Sequence, residues 1–518
     1  MPQPLRHVPS SALIAGWDFS TSGVKCLAFD LEGKTHAEIR LPTDLWTQDG
    51  VSELNLLQLE GQARAGARAL AAKLRAAGRL ADWLANGISA THHTAGRIDA
   101  QFNQVRRAIC WNDQSLADYH ALGLKRLGGQ KKVRELIGGP WAIRYSLSHL
   151  VKDEATLPEA DWRRTHRIVQ HGALATGYLT GNFEVVSVSA AASTGIMDLR
   201  TGRWRREMLD ALADPEHREL AWRQLPSVLD HLEPVGRLSH SICADAGIDP
   251  AGSPLVFPSS DDQQAGLVGG GAVDAGQVAI ILGSSAVVNS SASQPPATDN
   301  LDAMRLNWGP YLWMRCYTNG AQFLNHVLGK DPDYDALEAR ARQHAAGCDG
   351  ATVLPFVFPE PSLGVTRKTF RWDPAAPRDP GKKYRAALEA LAYVIALGVD
   401  AHEQAGQTIG QTIGRITVSG GIARSPLMCE ILATVLDRRL ERLQSDEGPA
   451  LGAAVTALAG LENLGRKAAG EEPYTVADAV AQMVRFKEPV EPNPEWRPQY
   501  EKGLRKFEKL AGIRRKRR

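Results

Sequence analysis

Cysteine is scarce in this chain of 518 residues, and no CxxC pair occurs. The six cysteines are Cys26, Cys110, Cys243, Cys316, Cys348 and Cys429. No two of them are close in sequence, which argues against both a disulfide framework and a zinc site. This usage fits a reducing compartment, and we expect a cytoplasmic protein.

Long apolar runs are also missing. No stretch reaches the roughly 18 uncharged apolar residues that a membrane helix needs, so no membrane span is expected. The segment Met1–Phe19 has only a short apolar run before Asp18 and lacks the apolar core of a signal peptide. The overall composition, 43% apolar and 23% charged, is that of an ordinary globular protein with a sizeable core.

Charge of one sign is not in excess, because 60 basic side chains face 58 acidic ones. Five of the basic residues form the run Arg514–Arg518, and without it the acidic side chains outnumber the basic ones. The chain therefore offers no general basic field for nucleic acid. A solvated tail is the simpler interpretation of the run, with contact to RNA or an anionic surface as the alternative.

Several familiar motifs are absent too. There is no GxxxxGK[ST] and no GxGxxG, which disfavours a P-loop ATPase and a Rossmann dehydrogenase. There is also no HExxH, and His92-His93 has no third ligand at metal spacing, so zinc is not expected there.

Three small turns rich in Gly, Ser and Thr are present instead, and each follows a predicted strand. They lie at 18–23, 283–285 and 419–425. Such turns present amides and hydroxyls to one point, which suits phosphate oxygens, although any one of them alone is more often a plain turn. Strand, turn, strand occurs at 12–30 and again at 277–288, which indicates two related halves holding a nucleotide triphosphate between them.

The remaining pattern predicts mixed helices and strands. We expect helices over 55–86, 385–403 and from Pro426 to about Asp437, and strands at 87–90 and 415–418. Proline-rich stretches at 295–296, 354–361 and 374–380 are expected to be surface connections. The boundary between two large α/β domains is placed near residue 258.

Two acidic sites have two interpretations each. Asp18 ends a strand before a phosphate-type turn, where it could hold Mg²⁺ or close an Asx turn. Asp261 and Asp262 precede a predicted helix, so one can cap it while the other acts as a general base. His92-His93 and Trp111-Asn112-Asp113 follow short strands and could line a sugar pocket, or be structural.

Together these segments resemble a known family. The segments are Asp18-Phe-Ser-Thr-Ser-Gly23, Trp111-Asn-Asp113, Asp262-Gln-Gln-Ala-Gly266, Leu282-Gly-Ser-Ser285, Asn319-Gly320, Ser419-Gly-Gly-Ile-Ala-Arg-Ser-Pro426 and Glu447-Gly-Pro-Ala-Leu-Gly-Ala-Ala454. Their order and spacing resemble the FGGY carbohydrate kinases over about residues 12–460. Within that family the chain is most similar to the xylulokinases, and Gly16-Trp-Asp-Phe-Ser-Thr21 and Cys316-Tyr-Thr-Asn-Gly320 resemble the animal-type form.

The resemblance implies two actin/hexokinase-like (ribonuclease H-like) domains with the active site in the cleft between them. It implies transfer of the γ-phosphoryl group of ATP, with Mg²⁺, to a ketopentose hydroxyl, with D-xylulose giving D-xylulose 5-phosphate. Another sugar or polyol such as D-ribulose, or an actin-like nucleotide-binding regulator without kinase activity, are the alternatives. The expected partner is a small sugar, neither nucleic acid nor membrane, and a homodimer stays open.

The resemblance also assigns residues. Asp262 matches the catalytic base and Asp18 the metal-associated carboxylate. The sugar side is expected to include His93, Asn112, Asp113, Arg144 and Gln263. The nucleotide side is expected to include Thr21, Ser22, Gly283, Ser284, Ser285, Gly320, Gly420, Gly421 and Ser425.

The same resemblance divides the chain into three parts. Residues 1–258 would be the N-terminal, sugar-side domain, 259–490 the C-terminal, nucleotide-side domain, and 491–518 a C-terminal helix and basic tail. The chain departs from the common pattern at four places. Ser20 replaces a Gly, Ser115 stands where Arg is frequent, Thr91-His92-His93-Thr94 replaces Gln-Met-His-Gly, and Ser259-Ser260 precedes the Asp pair where Gly is common.

Overall fold

The fold is seen in a computed structural model, which describes residues 3–229, 233–298, 300–329 and 331–513. The basic run Arg514–Arg518 lies outside the described residues. Within them, no helix combines the length and the apolar character that crossing a membrane would require.

Within the described residues, the first half of the chain, as far as residue 261, contributes the strands β1 to β16. They are β1 Leu13–Phe19, β2 Gly23–Phe29, β3 Thr35–Pro42, β4 Trp46–Gln48, β5 Val51–Leu54, β6 Trp83–Ala90, β7 Ala95–Ile98, β8 Gln104–Ile109, β9 Arg167–Gln170, β10 Val185–Ser187, β11 Met197–Asp198, β12 Arg203–Trp204, β13 Ser227–Leu229, β14 Gly236–Arg237, β15 Leu255–Val256 and β16 Ser260–Asp261. Those of the second half are β17 Gln277–Leu282, β18 Ala286–Ala292, β19 Asp302–Arg305, β20 Tyr311–Tyr317, β21 Thr352–Phe356, β22 Thr369–Asp373, β23 Arg415–Ser419 and β24 Glu441–Arg442.

Helices occur between these strands in both halves. They are α1 Leu56–Ala76, α2 Leu116–Arg126, α3 Gln130–Ile137, α4 Ser146–Thr156, α5 Glu159–Arg164, α6 His171–Thr180, α7 Val188–Ala192, α8 Pro215–Gln224, α9 His240–Ala246, α10 Asp262–Gly269, α11 Ala321–Leu328, α12 Tyr334–Ala341, α13 Pro380–Gln407, α14 Pro426–Leu436, α15 Gly448–Ala469, α16 Val476–Met483 and α17 Arg497–Ala511. Short 3₁₀ turns lie at Leu80–Asp82, Arg206–Ala211, Pro250–Gly252, Cys348–Gly350, Pro361–Leu363 and Gly421–Arg424.

Each half contains a mixed sheet with the same central arrangement. In the first, ordered β14-β15-β6-β1-β2-β3, the strand β1 is antiparallel to β2 and parallel to β6. In the second, ordered β19-β20-β18-β17-β23-β24, the strand β17 is antiparallel to β18 and parallel to β23. The predicted repetition of strand, turn and strand in the two halves is therefore confirmed, as is the mixed α/β class. Every residue of β1 is buried, as expected for a strand covered on both faces.

Helix α15, from the second half of the sequence, packs on the sheet of the first half. Glycines allow this close approach, since a Cβ at Gly16 or Gly87 would lie 1.9 Å from the carbonyl oxygen of Ala450 or Ala453. The same is true between α15 and α10, where a Cβ at Gly452 would lie 1.9 Å from the carbonyl oxygen of Ala265. One helix thus joins β1, β6 and α10 through backbone contacts that no other residue type permits.

Most predicted elements are confirmed, and three predictions are wrong in part. The helix expected over 55–86 ends at Ala76, since Gly78 adopts a left-handed φ of 68°, and the strand expected at 87–90 begins at Trp83. Residues 352–356, partly expected to be a surface connection, form the buried strand β21. Pro355 is tolerated there because β21 pairs only with β22, in a two-stranded ribbon.

Candidate active site

Asp18 lies near the end of β1 in the centre of the first sheet. Its neighbours are Lys25 on β2 and Ser89 on β6, whose hydroxyl donates to the Asp18 carboxylate at 3.1 Å. Burial raises the pKa of Asp18 to about 6, although the Lys25 ammonium opposes the shift. The turn that follows is closed by hydrogen bonds between Ser20 and Gly23 and leaves Thr21 half-buried and Ser22 exposed.

Asp261 and Asp262 lie at the start of α10 and have different partners. Asp261 caps the helix, because its carboxylate accepts from the amides of Gln263 and Gln264 at 2.9 and 2.8 Å. The Ser189 hydroxyl also donates to it. Asp262 accepts from the backbone amide of His92 at 3.2 Å.

The pKa of Asp262 is raised to about 8, chiefly by burial and then by the neighbouring carboxylates of Asp261 and Asp18. The Asp262 carboxyl group thus has two other carboxylates near it, and part of the residue remains accessible to solvent. With such a pKa the carboxyl group is mostly protonated at pH 7, and its ionised form, which can accept a proton, becomes dominant above about pH 8.

A stack of three rings lies beside the two aspartates. His92 stacks on His93 with ring centroids 3.7 Å apart, and His93 stacks on Tyr145 at 4.4 Å. The His93 Nδ1 contacts the carbonyl oxygen of Ser193 at 2.8 Å, and its Nε2 is buried without a partner among the described residues. The unusual left-handed φ of 59° at His93 turns the chain directly after β6. Burial lowers the pKa of both imidazoles, so the rings are neutral.

Arg144 carries positive charge into the same region. It is close enough to lower the pKa values of His92 and His93, and it pairs with Asp302 of the second half. Burial raises the pKa of the Cys316 thiol to about 11, with Asp262 adding to the shift and Arg144 and a hydrogen bond with Ser285 opposing it. The Cys316 thiol therefore lies within electrostatic range of Arg144 and Asp262 and next to Ser285 of the 283–285 turn.

Asn112 and Asp113 follow β8, but of the two only Asn112 has a buried side-chain atom without a hydrogen-bond partner among the described residues. This atom is the side-chain oxygen Oδ1. The Asp113 side chain is fully buried and accepts from the amide and hydroxyl of Ser115 and from the Lys152 ammonium at 3.1 Å. Contact between Asp113 and a sugar would require it to release one of these partners, so its sugar-side role stays a prediction.

The turn 283–285 is packed against the start of α11. A Cβ at Gly320 would lie 2.6 and 2.7 Å from the carbonyl oxygens of Gly283 and Ser284, so the two backbones touch. Ser284 itself is exposed. The buried Glu360 fixes this contact by accepting from the Thr318 amide at 2.7 Å and the Asn319 side chain at 3.1 Å.

The turn 419–425 lies next to it, because β17 and β23 are parallel and end side by side. Gly420 has a φ of 94°, and a Cβ there would lie 2.5 Å from the carbonyl oxygen of Leu282. Gly421 faces open space, with no atom within 4 Å of a Cβ built on it. The Ser425 hydroxyl caps α14 and donates to Glu338 at 2.6 Å, so it already serves the fold.

Gln263, one residue after Asp262, accepts from the Asn289 side chain at 3.0 Å on β18. The structure thus brings Asp18, Asp262, His93 and Arg144 into one electrostatic group and puts the second and third turns beside each other. It leaves Asp113 and Ser425 with partners of their own.

Sequence reasoning missed a polar cavity next to the ring stack. Its lining includes Gln170, His171 and Ser259 together with His92 and His93. The side-chain polar atoms of Gln170 and His171 are buried and have no partners among the described residues. One signal was available, since the polar pair Gln170-His171 lies at the end of β9 and the start of α6, and His92-His93 likewise follows the end of β6.

Comparison with known families matches both halves of the chain. The profile described as FGGY family of carbohydrate kinases, N-terminal domain, matches residues 13–269. The profile of the C-terminal domain of the same family matches residues 278–461.

Named relatives agree with these profiles. The chain is 27% identical to the xylulose kinase of Escherichia coli (strain K12) over 463 residues, which is 85% of this chain and 88% of that one. It is 25% identical to the xylulose kinase of Haemophilus influenzae over 379 residues, 72% of this chain and 74% of the relative.

Solved structures share the fold. The ligand-bound xylulose kinase from Lactobacillus acidophilus superposes with a TM-score of 0.82 at 18% identity, covering 97% of this chain and 98% of that one. The glycerol kinase of Plasmodium falciparum with ADP gives 0.78 at 16% identity, covering 97% and 99%. The two-domain fold, the matched profiles and the named relatives lead to one conclusion: this chain belongs to the FGGY family of carbohydrate kinases and is a phosphotransferase with a hydroxyl acceptor.

Proposed function

We propose that this sugar kinase transfers the γ-phosphoryl group of ATP to a hydroxyl of D-xylulose, giving D-xylulose 5-phosphate, with Asp262 as the general base. The observation that carries the assignment of the base is the environment of Asp262. Its side chain accepts a hydrogen bond from one backbone amide, its pKa is raised to about 8, and part of its surface is open. The xylulose kinases among the relatives support the choice of sugar.

The chemistry asks little covalent work of the protein, since phosphoryl transfer depends on positioning and on neutralising charge. In this proposal the Asp262 carboxylate takes the proton of the sugar hydroxyl as its oxygen bonds to phosphorus. His93, Asn112, Gln263 and Arg144 orient the sugar, and Asp113 holds the loop that carries Asn112. Closure of the cleft around these groups excludes water, which would otherwise accept the phosphoryl group.

The nucleotide is assigned to the turns of the second half. Amides and hydroxyls at 283–285, Gly320 and 420–421 would receive phosphate oxygens, with Thr21 and Ser22 approaching from the first half. Turns at the carboxyl ends of parallel strands suit this task. Ser425 would act through the start of α14.

Mg²⁺ fits the acidic residues of the site. Asp18 and Asp262 both have raised pKa values, and the Asp18 carboxylate is one cause of the shift at Asp262. A divalent cation would offset this repulsion, and carboxylate oxygens are its usual ligands. We assign its binding to Asp18; when bound, the ion neutralises charge on phosphate oxygens.

A screen of sugars tests the proposal directly. ADP release would be followed with D-xylulose, D-ribulose, gluconate, glycerol and no sugar. The expected result is turnover that depends on D-xylulose and is strongly reduced in Asp262→Asn, with Asp261→Asn as the matched control. A preference for D-ribulose or another polyol would mean that this compound, and not D-xylulose, is the substrate. Turnover that does not depend on sugar would favour the alternative function, a nucleotide-binding regulator without kinase activity.

Two coarser features complete the proposal. We expect cytoplasmic location, in keeping with six cysteines that are all free thiols. A homodimer is left to a measurement of mass in solution.

A further inference from the structure

We propose that His92, Asp261 and Asp262 form a binding site for a transition-metal dication such as Zn²⁺, and that occupation of this site inhibits the kinase. The inhibitory part rests on the proposed function of Asp262; the binding part does not.

Geometry gives the first argument. Each of the three side chains offers one ligand atom, and these atoms lie within 4.8 Å of one another. In the described part of the chain this is the one group of His, Cys, Asp and Glu side chains that meets the criterion. His92 Nδ1 is 3.8 Å from Asp261 Oδ1, so an ion between them could contact both atoms at about 2 Å, close to usual Zn–N and Zn–O distances.

The state of His92 gives the second, independent argument. The His92 side chain is 5% exposed, and neither ring nitrogen has a hydrogen-bond partner among the described residues. Buried imidazoles normally satisfy at least one nitrogen, because an unpaired buried polar atom is costly. His149 and His171 share this state, and of the three only His92 belongs to the group with two carboxylates. The ring is also held in place, since it stacks on His93 and its backbone amide donates to Asp262.

Contacts around Asp261 orient the second ligand. The amides of Gln263 and Gln264 and the hydroxyl of Ser189 all donate to its carboxylate. Hydrogen bonds of this kind fix ligand orientation around protein-bound metals. Oδ1 of Asp261, the atom nearest His92, accepts from both amides, so an ion bound through this oxygen would compete with one of these hydrogen bonds.

The donor set selects the class of ion. One imidazole and two carboxylates suit Zn²⁺ and Co²⁺, whereas Mg²⁺ prefers oxygen ligands alone. The sequence near His92-His93 offers no third ligand at metal spacing, and the fold brings Asp261 and Asp262 to His92 from a distant segment. Asp18, which we assign to Mg²⁺, is not in the group. His92 stands where the common family pattern has Met, which offers no nitrogen ligand.

The consequence for catalysis follows from Asp262. A carboxylate that coordinates a dication is a weaker proton acceptor, and the ion would stand where the sugar hydroxyl must approach. Zn²⁺ should therefore inhibit in the presence of excess Mg²⁺.

Cobalt binding tests the site without relying on turnover. Full-length protein in millimolar Mg²⁺ would be titrated with micromolar Co²⁺ and followed by visible absorption, which reports nitrogen and oxygen ligands directly. We expect binding of one Co²⁺, displaced by Zn²⁺, and weakened at least about tenfold in His92→Met, which removes the nitrogen ligand, and in Asp261→Asn, which removes the charge of an oxygen ligand. His171→Met is the matched control: a second buried histidine of the same cavity, outside the group, whose loss should leave Co²⁺ binding unchanged.

Each outcome decides the matter. Absence of Co²⁺ binding in the wild type, equal binding in His92→Met, or equal loss in His171→Met overturns the site. If His92→Met does not fold, Asp261→Asn gives the answer, because Asn keeps the size of the side chain and an acceptor for capping α10. Binding through His92 in a protein without sugar-dependent turnover would keep the site and reject the proposed function. Binding without inhibition by Zn²⁺ in an active kinase would reject only the inhibitory role.

Discussion

Asp261 and Asp262 are chemically identical neighbours, and their partners separate their tasks. Asp261 satisfies two helix amides, whereas Asp262 accepts from the His92 amide and faces other carboxylates. Asp262→Ala should therefore lower kcat by ~10²–10⁴-fold, the usual effect of losing a general base. Asp261→Ala should cost about 1 kcal/mol of stability through the lost cap and reduce kcat much less. Steady-state kinetics give kcat and thermal unfolding gives the stability of both variants. A larger loss of kcat in Asp261→Ala than in Asp262→Ala would identify Asp261 as the general base instead.

The raised pKa of Asp262 also predicts a dependence of stability on pH. Its pKa is about 8 in the folded protein against an ordinary value of 3.8, so the folded state binds the proton more tightly than the unfolded state. Wild-type stability from this group is therefore lost as pH rises from about 4 through about 8. Asp262→Asn does not ionise, so without divalent cations it should unfold at a higher temperature than wild type above pH 8, by a few degrees.

Asp18 supplies the internal comparison for that experiment. Its pKa is raised only to about 6, so the advantage of Asp18→Asn over wild type should develop by about pH 6. A difference between Asp262→Asn and wild type that stays constant from pH 5 to pH 9 would contradict the raised pKa.

His93 and Asp113 should respond differently to removal, although both were assigned to the sugar side. His93→Ala removes a buried ring with an unpaired Nε2 and should weaken sugar binding by ~0.5–1.5 kcal/mol, the value of one neutral hydrogen bond. Asp113→Ala leaves the Lys152 ammonium without its carboxylate, so its main effect should be on stability, by ~1–3 kcal/mol. Calorimetric titration with sugar in the absence of nucleotide measures the loss of affinity, and unfolding curves measure the loss of stability. Weakened sugar binding with normal stability in Asp113→Ala would mean that Asp113 contacts the sugar after all.

At the scale of elements, the two glycines that open the third turn have opposite surroundings. Gly421 faces open space, so the side chain in Gly421→Val fits the protein, and under the proposed function it would meet the bound nucleotide. ATP affinity should fall by about 5- to 100-fold, the equivalent of ~1–3 kcal/mol of steric conflict, while thermal stability and sugar binding stay near wild type. Gly420→Ala, with a φ of 94° and the Leu282 carbonyl in the way, is the contrasting variant and should lose stability. Parallel loss of sugar and ATP binding in Gly421→Val would indicate misfolding.

The elements also show what the sequence could reveal. The strands β1, β2, β17 and β23 and the cap at Asp261 could be predicted because local patterning and capping chemistry determine them. The end of α1 at Ala76 was missed because 77–86 keeps helix-forming residues while Gly78 and the pairing of β6 with β1 decide the outcome. The stack of His92, His93 and Tyr145 and the surroundings of Cys316 depend on folding of distant segments, which no local pattern encodes.

At the scale of the whole molecule, α15 is packed so closely on the first half that its glycine contacts should be intolerant of change. Gly87→Ala places a Cβ 1.9 Å from the Ala453 carbonyl oxygen and should destabilise by at least ~1–3 kcal/mol, because backbone must move. Gly61→Ala on the exposed side of α1, with open space around it, is the matched control and should be neutral or stabilising by up to about 1 kcal/mol. Denaturant unfolding of both measures this, and equal stability would mean that α15 does not sit at this distance.

The position of α15 has a consequence for how the protein is made. The first strand leaves the ribosome early, but the face of Gly16 and Gly87 is covered only when residues 450–453 emerge. The segment around Arg6 and His7 also cannot form its native contacts until α15 has been synthesised, because Glu462 of α15 accepts hydrogen bonds from both of their backbone amides. One face of the amino-terminal sheet therefore stays uncovered through most of translation, and a nascent chain stalled before α15 would expose an apolar surface of the kind that chaperones bind.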